Sequence, residues 1–268
     1  MSTSITADTT VTELVDVWLE QLRAEGRLEK TTIDEYSRVL RKRVVPALGH
    51  LPLNELSTRR IDTVLSDLGA QSGNLQRKAK VATGAMLDVA VALGALSANP
   101  VRGSMSVPRP RTDRRELTLA DLETVRAAVG AWMSKDRPGP KSSGDMADII
   151  DLMLATGARI GEVLAVRWND VNLDTRSLAI NATIKTEPGR GTYRKPLAGS
   201  RIVALPEFAL AVLRGRRGVL RDADVDAVFP TRNGTWQQVN NVERRWRQIR
   251  TEAGLEWVTP NAFRGVLA

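Results

Sequence analysis

The 268-residue chain has no cysteine and one histidine, His50. Disulfides and thiolate metal sites are therefore excluded, and the usual zinc ligand sets cannot be assembled. No cofactor is expected. The sequence has only two tyrosines, Tyr36 and Tyr193, and six tryptophans spread from Trp18 to Trp257. That scatter suits core packing better than a platform for stacking bases. No apolar run reaches the roughly 18 residues needed to cross a bilayer. The opening "MSTSITADTT" lacks the charged-then-apolar pattern of a secretory leader. These absences lead to the expectation of a cytoplasmic chain with no membrane partner.

What the sequence has in excess is positive charge. It carries 39 Lys and Arg against 31 Asp and Glu, and its pI is about 10.3. Such a balance suits a polyanionic partner. GC-rich coding also yields arginine and alanine, so placement says more than the total. Residues 1–102 are almost neutral, with 13 basic and 12 acidic side chains. The excess lies further on, in "GSMSVPRPRTDRR" (103–115), "RGRRGVLR" (214–221) and "RRWRQIR" (244–250).

Periodicity divides the chain. "TVTELVDVWLEQLRAEG" opens with a Thr10–Glu13 capping box, places Leu14, Val15, Trp18 and Leu19 on one face, and ends at Gly26. "TTIDEYSRVLRKRVVPALG" predicts a second box from Thr32 to Glu35 and a break near Pro46. Two more helical stretches end at Gly69 and Gly94, each glycine suited to the C′ position. A four-helix bundle closed by Asn99-Pro100 is expected. Residues 103–116 are rich in proline and arginine and predict a linker. A second unit then starts with Thr118 as N-cap. Past Trp168 the pattern alternates in "SLAINATI", "GTYRKPL" and "RIVALP", with Gly189 and Gly191 at a turn. The expected fold class is mainly α with a small antiparallel β-sheet (α+β). The expected organisation is a helical domain at 1–102, a basic linker at 103–116 and a mixed domain at 117–268.

The most specific stretch is "ATGARIGEVLAVRWNDVNL", residues 155–173. It resembles the first arginine motif of the tyrosine recombinase (phage integrase) family, T-G-x-R-x-x-E followed by a leucine-rich segment and W-x-D. "KPLAGSRIVALP" fits the family's β-hairpin lysine, placing Lys195 six positions before Arg201 and eleven before Pro206. The threonine that often follows that lysine is Pro196 here. "TPNAFR" resembles the second arginine motif, H-x-x-R after Thr-Pro, with Arg264 present and Asn261 in the histidine position. The resemblance implies a SAM-like core-binding domain joined by a linker to a catalytic domain.

It also implies a chemistry. A tyrosine hydroxyl attacks a DNA phosphodiester, forms a 3′-phosphotyrosyl link, and the step is reversed on a new strand. Charge builds on the non-bridging oxygens, which Arg159 and Arg264 are placed to grip bidentately. Lys195 is the candidate general acid for the departing 5′ oxygen. Glu162 is expected to buttress Arg159 rather than act as a base. Asn261 can donate a hydrogen bond but cannot exchange protons near neutral pH. Double-stranded DNA and other recombinase protomers are the expected partners. Arg109, Arg111, Arg114 and Arg115 of the linker are the first candidates for contacting its phosphates. Arg41, Lys42, Arg43, Arg77, Lys78 and Lys80 are the candidates in the helical domain.

In the family the nucleophilic tyrosine follows the second arginine by a few tens of residues. Neither Tyr36 nor Tyr193 holds that place, so the chain is expected to be a C-terminally truncated member, inactive alone. Its last residues, "VTPNAFRGVLA", are expected to begin a helix left partly uncovered at Phe263, Val266 and Leu267. Three roles remain open. One is an integrase whose chain is incomplete, as in an interrupted prophage gene. The others are a retained DNA-binding protein that modulates recombination without cutting, and an enzyme completed in trans.

Overall fold

In a computed structural model the described residues are 4–105, 115–135, 144–217 and 225–265. The chain divides into two compact units, Met1–Thr112 and Asp113–Ala268. The expected linker spans that division, and Arg109, Arg111 and Arg114 lie outside the described residues.

The first unit is built from amphipathic helices. Helix α1 (Val11–Glu25) starts on the expected Thr10–Glu13 capping box and ends at Gly26 in the left-handed region. Its Leu14, Val15, Trp18 and Leu19 are buried. Each fully buried side chain of this size contributes about 1.5–3 kcal/mol. Helix α2 (Lys30–Val39) departs from expectation. It starts two residues ahead of Thr32, with Glu29 as N-cap and no side-chain cap bond. Glu35 is thus released from capping, and its carboxylate accepts from Arg38 and Lys78, each at 2.6 Å.

Pro46 does not break the chain direction as expected. A π turn over Leu40–Val44 precedes it, and α3 (Val45–Leu48) continues with the proline in its first turn. Helix α4 (Thr58–Gln71) runs through Gly69 instead of stopping there. Helix α5 (Gly73–Ala92) fills the centre with Ala79, Ala82, Met86 and Leu87. Asn99 closes the unit, donating to Gly84 O and Asp88 and accepting from Val101 N–H.

The second unit wraps helices around a small sheet. Helix α6 (Leu119–Ser134) starts on a Thr118–Asp121 capping box. Helix α7 (Asp145–Thr156) is buried along most of its length and ends at Gly157, whose φ is +60°. A short α8 (Ile160–Val163) follows, then a 3₁₀ turn at Trp168–Asp170. Strands β1 (Val171–Asn172), β2 (Ser177–Glu187) and β3 (Gly191–Ala204) form an antiparallel sheet in that order. Leu178, Ile180, Ala182 and Ile184 alternate along β2 to face the core. Gly189 and Gly191, both at φ +79°, shape the hairpin turn. Helices α9 (Glu207–Arg217) and α10 (Val239–Glu252) complete the layer. The fold is mainly α with one small antiparallel sheet.

The closing stretch differs from the reading of its sequence. Pro260–Gly265 forms a 3₁₀ turn, and Phe263 is fully buried. Its ring meets Trp246 edge-on, with centroids 5.4 Å apart, and Trp246 Nε1 donates to Val258 O at 2.8 Å. Helix α10 and the Leu255–Val258 turn thus cover Phe263 from within the unit, which overturns the expectation that it would be left uncovered. Val266 and Leu267 lie outside the described residues.

Candidate nucleic-acid interface

The T-G-x-R-x-x-E stretch forms a backbone corner between α7 and α8. Gly157 in the left-handed region ends α7, and Arg159 becomes the extended N-cap of α8. One turn on, Glu162 accepts from the Arg159 main-chain N–H at 3.1 Å and from Arg159 Nη1 at 3.0 Å. Arg201 Nη2 donates to the same carboxylate at 2.8 Å. The Glu162 side chain is 3% exposed, whereas that of Arg159 is 63% exposed. Burial pushes the Glu162 carboxyl up, but the hydrogen bonds from Arg201 and Arg159 outweigh it and leave the pKa below its ordinary value. Glu162 is therefore a buried anion that orients arginines. A general base would need to be reachable and nearer neutrality.

Arg264 attaches to this corner. Its Nε donates to Gly157 O at 2.8 Å, so the second arginine motif is anchored on the glycine of the first. The two border an open cleft of about 760 Å³, lined also by Ala155, Thr156, Val203 and Leu205. Asn261, in the degraded histidine position, is exposed.

Lys195 is linked to the corner through the sheet. It pairs across the ladder with Thr183. A Cβ on Gly161 would lie 2.7 Å from Thr183 Oγ1, so only glycine lets α8 approach the strand pair this closely. The neighbouring Arg194 pairs with buried Ile184, and strand alternation sends Lys195 to the opposite face.

Arg194 itself enters a buried polar cluster. Its Nε donates to Ala165 O at 2.9 Å, its Nη2 donates to Asp170 at 3.0 Å, and it also contacts Asn181. Asp170 further accepts from Asn181 and from the Arg167 side chain and main chain. Burial raises the Asp170 pKa, and the Arg167 and Asn181 hydrogen bonds more than reverse the effect. The aspartate of W-x-D is thus the tie between the corner's far end and the strand beside Lys195. Sequence reading gave Asp170 no partner and missed Arg194. The signal for it was a charged residue at a core-facing strand position.

The remaining candidates are dispersed. Arg41, Lys42 and Arg43 lie together on the π turn, and all are exposed. Arg41 pairs with Asp16 at 2.7 Å. Arg77 is half-buried on α5, and its neighbour Lys78 pairs with Glu35. Exposed pairs of this kind are worth about 0–1 kcal/mol, so a phosphate can displace the carboxylate. Lys80 instead donates to Ser104 O and Met105 O, at 3.1 and 2.7 Å, and holds the chain leaving α5. Arg115 sits over the Trp257 ring at 4.0 Å and bonds Asp121 at 2.8 Å.

The basic run on α9 is partly structural. Arg216 is 17% exposed and bridges Asp145 and Asp148 at 3.0 and 2.8 Å. Among the described residues no cluster of His, Asp or Glu could hold a metal, and no helix could span a membrane.

Comparison with known proteins bears on both units. A sequence profile of the phage integrase family matches residues 131–268, and one of the phage integrase N-terminal SAM-like domain matches residues 10–69. The tyrosine recombinase XerC of Alcanivorax borkumensis is 24% identical over 247 residues, covering 91% of this chain and 75% of that protein. The integrase of Mycobacterium phage D29 is 26% identical over 215 residues, covering 76% of this chain but 51% of its own length. The chain thus spans about half the length of that relative.

Two solved structures share the fold. A Tn1549 transposon integrase in complex with circular intermediate DNA superposes with a TM-score of 0.79 at 16% identity, covering 96% of this chain and 85% of that one. A lambda integrase dimer bound to a core site gives 0.71 at 17% identity, covering 96% and 88%. The family profile takes in more than half of the residues, including the corner, the hairpin and the Arg264 turn; the chain belongs to the phage integrase family.

Proposed function

We propose that the chain binds duplex DNA as part of a site-specific recombinase, with Arg159, Arg264 and Lys195 surrounding one phosphodiester. The observation that supports this most strongly is the shared corner. Arg264 hangs from Gly157 O, Arg159 starts two residues later, and Gly161 seats the strand pair that carries Lys195. Two guanidiniums can grip the non-bridging oxygens as charge grows there, and an ammonium can protonate the leaving 5′ oxygen. The first unit then acts as the core-binding domain, and the basic side chains of 103–116 neutralise backbone phosphates. The Tn1549 and lambda integrases were solved on DNA, the lambda protein as dimer and tetramer. Other protomers are accordingly proposed as partners here.

Neither tyrosine of the 268 residues is suited to attack. Tyr36 stacks on Trp18 in the first unit. The Tyr193 hydroxyl donates to Glu187, a bond that holds its proton and raises its pKa. A polypeptide of these 268 residues is proposed to hold a phosphate without cutting, its nucleophile coming from residues outside this sequence. A second reading, a binding protein that modulates recombination, is favoured by Asn261, which cannot relay a proton.

Two measurements test the proposal. Duplex affinity should fall steeply with salt, by about 0.9 log unit per log unit of salt for each phosphate contacted. Arg159→Gln and Arg264→Gln should each flatten that slope, and a salt-independent affinity, or none at low salt, would refute the phosphate-binding assignment. A suicide DNA substrate should yield no covalent adduct. An adduct at Tyr36 or Tyr193 would overturn the assignment of the nucleophile. Cleavage on adding a tyrosine-bearing recombinase fragment would favour the recombinase over the non-cutting reading.

A further inference from the structure

The Glu162 carboxylate holds two arginines, Arg159 and Arg201, and the proposed function gives a role to Arg159 alone. Neutralising a single buried carboxylate takes one guanidinium. Arg159 already supplies it through Nη1, with its own main-chain N–H on the second oxygen. Arg201 Nη2 adds another cation at 2.8 Å. The cluster therefore carries a net charge of +1 at the surface.

Comparison within the same unit bears on that surplus. Two arginines that serve buried carboxylates as structure are themselves sunk, although Arg167, which also bonds Asp170, is 38% exposed. Arg194, on Asp170, is 16% exposed, and Arg216, on Asp145, is as deeply placed. Both also donate Nε to a main-chain carbonyl, Arg194 to Ala165 and Arg216 to Val228. Arg201 differs in depth. Its side chain is 42% exposed, so a large part of a five-donor fork faces solvent beside Arg159.

The geometry also brings the two together. The guanidiniums rest on the two oxygens of one carboxylate, so they lie near each other. A phosphate presents the same kind of paired oxygens, and Arg matches such pairs with parallel N–H bonds. Arg201 lies on β3 beyond the Leu197–Ser200 interruption of the ladder, on the strand that bears Lys195. We infer that Arg201 is a DNA phosphate-binding residue, set beside Arg159 by Glu162 and gripping the backbone next to the phosphate that Arg159 holds. This rests on the proposed function and adds a residue to it.

The test is the salt dependence of duplex DNA binding by the full 268-residue chain, with folding followed by circular dichroism. Arg201→Gln should lower the salt slope by about 0.9, the loss of one phosphate contact. Arg201→Lys should keep the slope, because the charge stays, while binding more weakly for want of the fork. A folded Arg201→Gln with an unchanged slope overturns the inference and leaves Arg201 a structural counter-ion.

If Arg201→Gln does not fold, Glu162→Gln removes the buried charge that needs a partner. The slope of Glu162→Gln/Arg201→Gln is then compared with that of Glu162→Gln alone. A drop of about 0.9 supports the assignment, and no drop refutes it. Arg159→Gln separates the two levels. If it lowers the slope and loss of Arg201 does not, only this inference fails. If the unaltered chain binds without salt dependence, the proposed function fails as well.

Discussion

Replacing Gly161 with alanine tests whether close contact between α8 and β2 holds the candidate site together. Gly161 is outside the left-handed region, so an alanine backbone is unstrained there. The obstacle is space. The new Cβ would lie 2.7 Å from Thr183 Oγ1, 3.4 Å from Val239 Cγ2 and 3.7 Å from Ile184 O. Overpacking of this kind costs about 1–3 kcal/mol. Alanine gains at most about 0.5–1 kcal/mol over glycine in a helix, and α8 is short, so a net loss of about 1–2 kcal/mol is expected. Thr183→Ala removes the nearest atom.

The double variant should therefore recover much of the loss, with a coupling of about 1 kcal/mol between the two positions. Urea unfolding followed by tryptophan fluorescence reads the right unit, because Trp18 is the only tryptophan of the six outside residues 113–268. If Gly161→Ala is as stable as the unaltered chain, or the two substitutions are simply additive, the contact does not hold α8 to the sheet.

Three other outcomes follow from the packing and the charges. Phe263→Ala should destabilise the second unit by about 3–5 kcal/mol, the range for a fully buried phenylalanine, in the same urea experiment; a loss below 1 kcal/mol would restore the reading of an uncovered terminus. Glu162 and Asp170 have folded pKa values below their ordinary 4.5 and 3.8. Their stabilisation is therefore complete above about pH 4.5 and is lost as pH falls through the folded values. Melts of the second unit from pH 7 to 3 should show this decline, and Glu162→Gln should flatten it while lowering stability at pH 7. Arg216→Met should cost about 3–5 kcal/mol by leaving Asp145 and Asp148 without their cation, and a smaller loss after the further change Asp145→Asn would identify the stranded charge as the cause.

Much of the molecule follows from local chemistry, which a sequence carries openly. The Thr10–Glu13 and Thr118 caps, the helix-ending glycine at 26 and the hairpin glycines at 189 and 191 formed as expected, because each depends on residues within one turn. The alternation of β2 and the arginine motifs were legible for the same reason. Readings failed where a distant partner decided. Glu35 left its expected cap for Lys78 on another helix, and Phe263 was covered by Trp246.

The sequence by itself singled out, by type and spacing, the residues proposed to grip a phosphate: Arg159, Lys195 and Arg264. Only the tertiary structure decided that Arg159 and Arg264 share one corner, and that Glu162 holds a second arginine there. It also decided that Asp170 and Arg194 brace the strand beside Lys195. The reason is physical. A cap or turn is settled by neighbours in the chain, whereas a buried carboxylate takes whichever cations the fold delivers to it, and Arg201 reaches Glu162 from 39 positions away.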